Sequence, residues 1–175
     1  MGLILRPITT DDTDFLYQVY ASTRVEEFAF LNWTAAQLRA FLHMQFTAQH
    51  TYYQEQFADG DFQIVMLDNQ PIGRLYTQRR DAELSLIDIA LLPEFRRRGI
   101  GSALLHDVMA CAAKENLPVR LYVELNNPAQ HLYQRFGFYK IGENGVYFHM
   151  EAMPTSKTNN LDVKSVAQDK GHHAR

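Results

Sequence analysis

The stretch Leu91-Leu92-Pro93-Glu94-Phe95-Arg96-Arg97-Arg98-Gly99-Ile100-Gly101-Ser102 constrains the fold more than any other part of the chain. An apolar segment stops at a proline, three arginines come next, and two glycines open a stretch with apolar residues at helical spacing. This order predicts a strand, a turn and the start of a helix. The first turn of a helix has backbone N–H groups with no partner inside the helix, and it carries the positive end of the macrodipole. It therefore attracts a phosphate or pyrophosphate. Glycine lets the backbone approach such a ligand closely, because it lacks a Cβ and accepts positive φ. The arginines add charge where the anion would sit. The run predicts a site for a phosphorylated cofactor. It is not a P-loop, since no Gly-Lys-Ser/Thr follows the glycines, and it lacks the third glycine of a dinucleotide fingerprint.

The chain has 175 residues, enough for one domain with a sizeable core. Net charge is −3 and the basic residues are spread along the chain, so nucleic-acid binding has no support. One cysteine, Cys111, excludes an internal disulfide framework; set among helical alanines, it reads as a packing residue. The N-terminal residues lack the charged segment and apolar core of a signal peptide, and no apolar run approaches the ~20 residues of a bilayer span. The expectation is a cytoplasmic protein without a membrane partner. His43, His50, His106, His131 and His149 show no metal-ligand spacing, and no metal is expected.

Periodicity orders the rest. Leu3–Arg6 predicts a short strand, and Thr9-Thr10-Asp11-Asp12 starts a helix running to about Ala21. Thr34-Ala-Ala-Gln37 has capping-box spacing ahead of a stripe of Leu38, Phe41, Leu42, Gln45 and Phe46, a helix reaching about His50. Phe62–Leu67 and Gln70–Gln78 predict two strands joined at Asp68-Asn69. Glu83–Leu92 reads as a central strand buried on both faces. Gly101–Glu115 is a helix, with Leu104, Leu105, Val108, Met109 and Ala112 at core spacing. Val119–Leu125 is the next strand, its Val119, Leu121, Val123 and Leu125 on one face. Asn127-Pro128 opens a short helix that Gly137 ends. Phe138–Ile141 and Val146–Met150 pair across Asn144-Gly145. Residues 1–153 form the expected domain, and 154–175 a polar, disordered tail. There are no internal repeats.

Three features in this order resemble the GNAT superfamily of acyl-CoA-dependent N-acetyltransferases. The strand Leu84–Leu92 runs into Arg96-x-x-Gly99-x-Gly101, similar to the family's pyrophosphate loop. The strand Leu121–Leu125 is followed by Asn126-Asn127-Pro128-Ala129. Leu132-Tyr133-Gln134-Arg135-Phe136-Gly137-Phe138 resembles the family's leucine-tyrosine…glycine-phenylalanine signature. The similarity covers roughly residues 3–153.

The resemblance implies an α/β (α+β) GNAT fold: a mixed, twisted central sheet flanked by helices and splayed between its fourth and fifth strands, with acetyl-CoA as cosubstrate in the opening. Backbone groups of Ile89, Ala90 and Leu91 would pair with the pantetheine arm. Amides from Arg97 through Arg98, Gly99, Ile100 and Gly101 to Ser102 would hold the pyrophosphate, with Arg96 opening the motif and the Arg97 and Arg98 side chains adding charge. Asn126 or Asn127 would contact the pantetheine. The family spacing of seven residues before the tyrosine selects Asn126, whereas Asn127 is the better N-cap, so both stay open.

Acetyl transfer to an amine needs a neutral amine, a polarised thioester carbonyl and a protonated leaving thiol. Tyr133 resembles the family tyrosine assigned as general acid beside the cofactor sulfur. With a thiol near pKa 8.5 and a phenol near 10, that donor is weakly matched unless the site tunes it. For the base, Ser85 falls where some members carry a glutamate, and serine is a poor base. Glu83, on the same face two residues earlier, is the first candidate, Asp88 on the opposite face the next and Glu124 the third. A water relay or an amine that arrives neutral needs none of them.

Residues 22–57 should form the acceptor side, with Glu26 and Glu27 placed to attract a cationic amine. The aromatics of that stretch (Phe28, Phe30, Trp33, Tyr52, Tyr53) either wall a small apolar pocket or, for most of them, read as core. The acceptor is a small-molecule or protein amine, and a homodimer is compatible with the fold. Two other readings stand beside the enzyme: a non-catalytic acyl-CoA-binding module, and a nucleotide-binding α/β domain.

Overall fold

The computed structural model describes residues 2–154; the anticipated tail lies, from residue 155 on, outside the described residues. Seven strands and four helices run in the order β1 (Leu3–Pro7), α1 (Thr13–Arg24), α2 (Ala35–Gln56), β2 (Asp61–Leu67), β3 (Gln70–Arg79), β4 (Leu84–Leu91), α3 (Ile100–Lys114), β5 (Val119–Glu124), α4 (Gln130–Arg135), β6 (Tyr139–Glu143) and β7 (Tyr147–Ala152). No helix among the described residues is long and apolar enough to cross a membrane.

Local chemistry explains the boundaries. Thr34 caps α2 reciprocally: the Gln37 N–H donates to Thr34 Oγ1 at 3.2 Å, and the Thr34 N–H to Gln37 Oε1 at 2.9 Å. α2 runs six residues past His50, to Gln56. The core-facing stripe Leu42–Phe46 continues through His50 and Tyr53, amphipathic residues that a purely apolar count passes over. Asp68 and Asn69 both take positive φ, +48° and +67°, as a tight two-residue hairpin demands. α4 starts at Gln130 rather than Pro128, because Asn127 Oδ1 first takes the Ala129 N–H at 2.9 Å and closes a separate turn. Cys111 is exposed on α3, not packed, while its neighbour Ala112 is buried.

The strands form one sheet in the order β1-β2-β3-β4-β5-β7-β6, antiparallel except for the β4–β5 pair. Its two faces carry separate cores. Leu104, Leu105 and Val108 of α3 pack against Leu84, Leu86, Val119 and Leu121 on one side. Leu16 and Tyr20 of α1 and Leu42 and Phe46 of α2 cover Ile64 and Tyr76 on the other. Gly73 lets β3 and β4 approach closely, since a Cβ there would collide with the Ala90 carbonyl and the Leu91 side chain.

Two irregularities of β4 position the site. First, β4 and β5 pair only at Leu84–Val119, Ser85–Arg120 and Leu86–Leu121. Beyond Leu86 the strands part, and the sheet is splayed open between its fourth and fifth strands. Second, Thr77 of β3 opposes Leu86 but the preceding Tyr76 opposes Asp88, leaving Ile87 as an extra residue. This β-bulge resets the alternation of β4. Asp88 consequently shares the α1/α2 face with Ser85, which opposes Gln78. That corrects the expectation, based on strict alternation, of Asp88 on the opposite face.

Candidate functional site

The β4 wall of the splay is read from its register with β3. The Leu92 N–H donates to Ile72 O at 2.9 Å, which makes Leu91–Gly73 a non-hydrogen-bonded antiparallel pair. The same holds two residues earlier for Ile89–Leu75. Ile89 and Leu91 thus point their backbone N–H and C=O groups away from β3, into the splay where β5 no longer meets them. Ala90, opposite Arg74, turns its own groups to β3. Of the three residues expected along the cofactor arm, Ile89 turns both backbone groups to the cleft and Leu91 only a free N–H, since Arg96 Nε takes the Leu91 carbonyl, while the middle residue faces β3.

At the top of β4 the chain enters a loop with two left-handed residues, Arg97 (φ +58°) and Gly99 (φ +79°). A Cβ at Gly99 would meet nothing within 4 Å, so the glycine serves its φ and not a steric squeeze. Such a turn gathers successive N–H groups around a concavity that suits an anion. Gly99 is the N-cap of α3, and the Ala103 N–H already donates to Gly99 O at 3.0 Å. That leaves the amides of Ile100, Gly101 and Ser102 as the helix's open donors. The three arginines part company. Arg98 lies over the Phe95 ring, 5.5 Å from its centroid. Arg97 forms no ion pair among the described residues. Arg96 turns back, donating from Nε to Leu91 O at 2.8 Å and from Nη2 to Ser22 Oγ at 2.9 Å.

On the β5 side, Asn126 is exposed and free of side-chain bonds among the described residues, while Asn127 spends its side-chain oxygen on Ala129. Tyr133 sits on α4, buried against Phe138 with ring centroids 5.6 Å apart. Burial, and after it the negative charge of Asp88, raises its phenol above the ordinary range.

The candidate bases sit in different surroundings. Glu83 accepts from Arg120 Nη1 and Ser85 Oγ, each at 2.7 Å. Burial alone would raise its carboxyl, but Ser85 and Arg120 outweigh that and hold it below the usual range. It lies at the end of β4 that is still paired with β5, away from the splay. Glu124, at the end of β5, is gripped by Arg24 at 2.6 Å. Asp88 sits in the splayed half, 2.5 Å from Arg74. Arg74 is only 3% exposed and also donates to Gln49 Oε1 at 2.9 Å. An arginine set inside the otherwise apolar strand segment Ile72-Gly-Arg-Leu-Tyr76 is the sequence signal that could have pointed to it. Tyr53 of α2 and Tyr76 of β3 flank the pair, with centroids 6.1 Å apart. Burial pushes Tyr76 up to about 12, and pushes Tyr53 further, with Asp88's charge adding to it. Both phenols therefore stay protonated at neutral pH, and the Tyr76 hydroxyl is buried with no hydrogen-bond partner among the described residues. Of the aromatics expected to be core, Phe30, Trp33 and Tyr52 are exposed.

Residues 25–138 match the model of the acetyltransferase (GNAT) family. Over 102 residues, 56% of this chain, the sequence is 33% identical to cysteine-rich protein 2-binding protein of mouse and human. The match spans only 13% and 12% of those proteins' lengths. Among solved structures, the PaiA N-acetyltransferase of Thermoplasma acidophilum in complex with coenzyme A is similar in fold. Its TM-score is 0.66 at 20% identity, over 87% of this chain and 99% of that one. The ribosomal-protein-S18-alanine N-acetyltransferase of Escherichia coli gives a TM-score of 0.60 at 18% identity, covering 91% and 99%. With its splayed mixed sheet, its loop into α3 and a family match over residues 25–138, the chain belongs to the GNAT family of acetyltransferases.

Proposed function

We propose that residues 1–153 form an N-acetyltransferase domain that moves the acetyl group of acetyl-CoA directly to the primary amine of a small molecule or protein. The observation that carries this reading is the unpaired β4 edge, with Ile89 and Leu91 facing an opening that leads to the α3 N-terminus. The likeness to a CoA-bound N-acetyltransferase supports it. The residues fit the group. Ile89 and Leu91 would extend the sheet along the pantetheine arm, and the amides from Arg97 to Ser102 would hold the pyrophosphate. Asn126 is preferred to Asn127, whose oxygen is already committed.

Acetyl-CoA supplies the thioester. The chain supplies charge and protons. Asp88, in the splayed half of β4 and on the acceptor face, replaces Glu83 as the candidate base. It receives the proton that the amine must lose, directly or through one water, help worth roughly 10²–10⁴-fold. Both carboxylates are ion-paired, but Glu83 lies where β4 and β5 are still joined, away from the opening, and serves the strand pairing through Arg120. Tyr133 keeps its proton and presents it to the departing sulfur. Because a phenol above 10 does not pass its proton downhill to a thiolate near 8.5, its contribution is a hydrogen bond to the charge that develops there. The test is thiol release from acetyl-CoA across a panel of amines, with Tyr133→Phe alongside. Amine-dependent release that falls in the variant supports the enzyme. Tight CoA binding with no turnover on any amine supports the binding module, the reading that Ser85 at the family's base position keeps open.

A further inference from the structure

Beyond Leu86 and Leu121 no sheet hydrogen bond fixes the distance between the ends of β4 and β5. The last turn of α1 spans that gap. On the β4 side, Arg96 holds Leu91 O at 2.8 Å and reaches α1 at Ser22 Oγ (2.9 Å) and Ser22 O (3.2 Å). On the β5 side, Arg24 grips both oxygens of Glu124, at 2.6 and 3.2 Å. The β5 end is anchored in turn, since Gln130 Nε2 of α4 donates to the carbonyls of Glu124 and Leu125 at 2.9 and 2.7 Å. Two planar guanidinium forks thus strap one helical turn across the mouth of the opening.

The strap continues into the acceptor wall. Arg24 leads directly into the 3₁₀ turn Val25–Phe28. Phe28 stacks on Trp33 at 6.4 Å and 9°, and both rings meet Phe41 edge-on at 5.1 Å. The forks tie the N-terminal end of this wall to the two lips of the cleft. Arg24 also pairs with Glu27 at 3.1 Å, three residues on, an exposed contact worth little alone. The bond to Glu124 is different in kind: it is bidentate, partly buried and spans 100 residues.

We propose that Arg24 and Arg96 are positioning residues, which make the placement of the acceptor wall Val25–Trp33 depend on what fills the splay between β4 and β5. This rests on the reading of that opening as the acyl-CoA site. A ligand lying along Leu91 and the Arg96–Gly99 loop fixes one end of the strap, and the spacing to β5 fixes the other. Arg96 cannot follow Leu91 without carrying Ser22 with it. Cofactor and acceptor sites then share a coupling free energy, which acts reciprocally on binding.

The chain provides its own reporter, since Trp33 is its one tryptophan and packs on Phe28. The full chain is titrated with CoA alone. Calorimetry gives the affinity, and Trp33 emission, excited at the red edge where adenine does not absorb, tracks the wall. In the wild type, emission changes in step with binding. Glu124→Gln keeps the CoA affinity within about twofold yet loses most of the emission change, Glu124→Asp recovers part of it, and Ser22→Ala, which keeps the bond from Arg96 to the Ser22 carbonyl, loses a smaller part. With an acceptor in hand, Glu124→Gln raises its KM about fivefold or more with kcat less affected, the lower end of typical coupling. Circular dichroism and Tm confirm that the variants are folded. An emission change absent in the wild type, or equal in wild type and variants, overturns the strap while leaving the cofactor site standing. Absence of calorimetric binding overturns the cofactor reading and the strap with it.

Discussion

Asp88 and Arg74 meet at 2.5 Å on the α1/α2 face of the sheet because Ile87 bulges out of β4. Without that extra residue, alternation would turn Asp88 toward α3 and leave a buried arginine uncompensated, an expensive arrangement. The pair therefore fixes both the rotamer of Asp88 and the strand register. Asp88→Asn should lower kcat/KM by roughly 10²–10⁴. Glu83→Gln should leave the rate near wild type and lower Tm, because Arg120 then loses one of its two carboxylate partners. Steady-state thiol release and a melting curve on both variants check this. The reverse pattern would return the base to Glu83.

Tyr133→Phe removes a donor without removing the ring that packs on Phe138. The expected result is a kcat lower by about 10²-fold, the loss of one donor to developing charge, with CoA affinity retained. The phenol's raised pKa keeps it protonated to higher pH than a free tyrosine. The wild-type profile should accordingly show no alkaline fall assignable to Tyr133 below about pH 10. An alkaline limb near neutrality that disappears in the variant would contradict this.

Gly99→Ala forces a Cβ onto a residue at φ +79°, at a cost of about 1–2 kcal/mol. Open space around the position means that strain, not collision, is the cause. CoA affinity should fall and Tm drop by a few degrees, whereas Gly101→Ala, whose Cβ would make ordinary contact with Leu132, should be milder for stability. Calorimetry with CoA on both variants is the check.

Arg6 and Asp12 form a bidentate pair at 2.8 and 2.6 Å that docks β1 onto the turn before α1. The bond to Arg6 is the main reason the Asp12 carboxyl falls to about 2. Because its folded pKa lies below the unfolded value near 3.9, the pair's stability is fully present above about pH 4 and is lost as pH falls toward 2. The contribution is about 1 kcal/mol once the part-exposed Arg6 is discounted for screening. In Asp12→Asn the slope of stability against pH between about 4 and 2 should be shallower by about one proton, as read from urea titrations.

Much of the fold is legible in the sequence where short-range chemistry decides. The turn at Asp68-Asn69, the cap at Thr34 and the arginine–glycine entry to α3 are local, and the structure has them as the sequence predicts. The splay is implied by the family resemblance rather than by any residue pattern. Features that depend on register and on long-range partners stay hidden. The bulge at Ile87 leaves no mark in a run of Leu, Ile and Ala, so strict alternation puts Asp88 on the wrong face. Arg74 finds Gln49 and Asp88 from separate elements, and Arg96 spends its charge on α1, which no motif spacing encodes. Cys111 reads as internal because alanines surround it, yet the helix turns it outward.

The central claim is that acyl-CoA lies along β4 as an extra strand, and amide hydrogen exchange at single-residue resolution tests it most directly. Without ligand, the Ala90 amide is protected by its β3 partner, while those of Ile89 and Leu91 face the splay and exchange faster. Saturating CoA should slow Ile89 or Leu91, together with Gly99 to Ser102, and leave Ala90 unchanged. Unaltered exchange at both Ile89 and Leu91 in a chain shown to bind CoA would place the cofactor elsewhere and contradict the account.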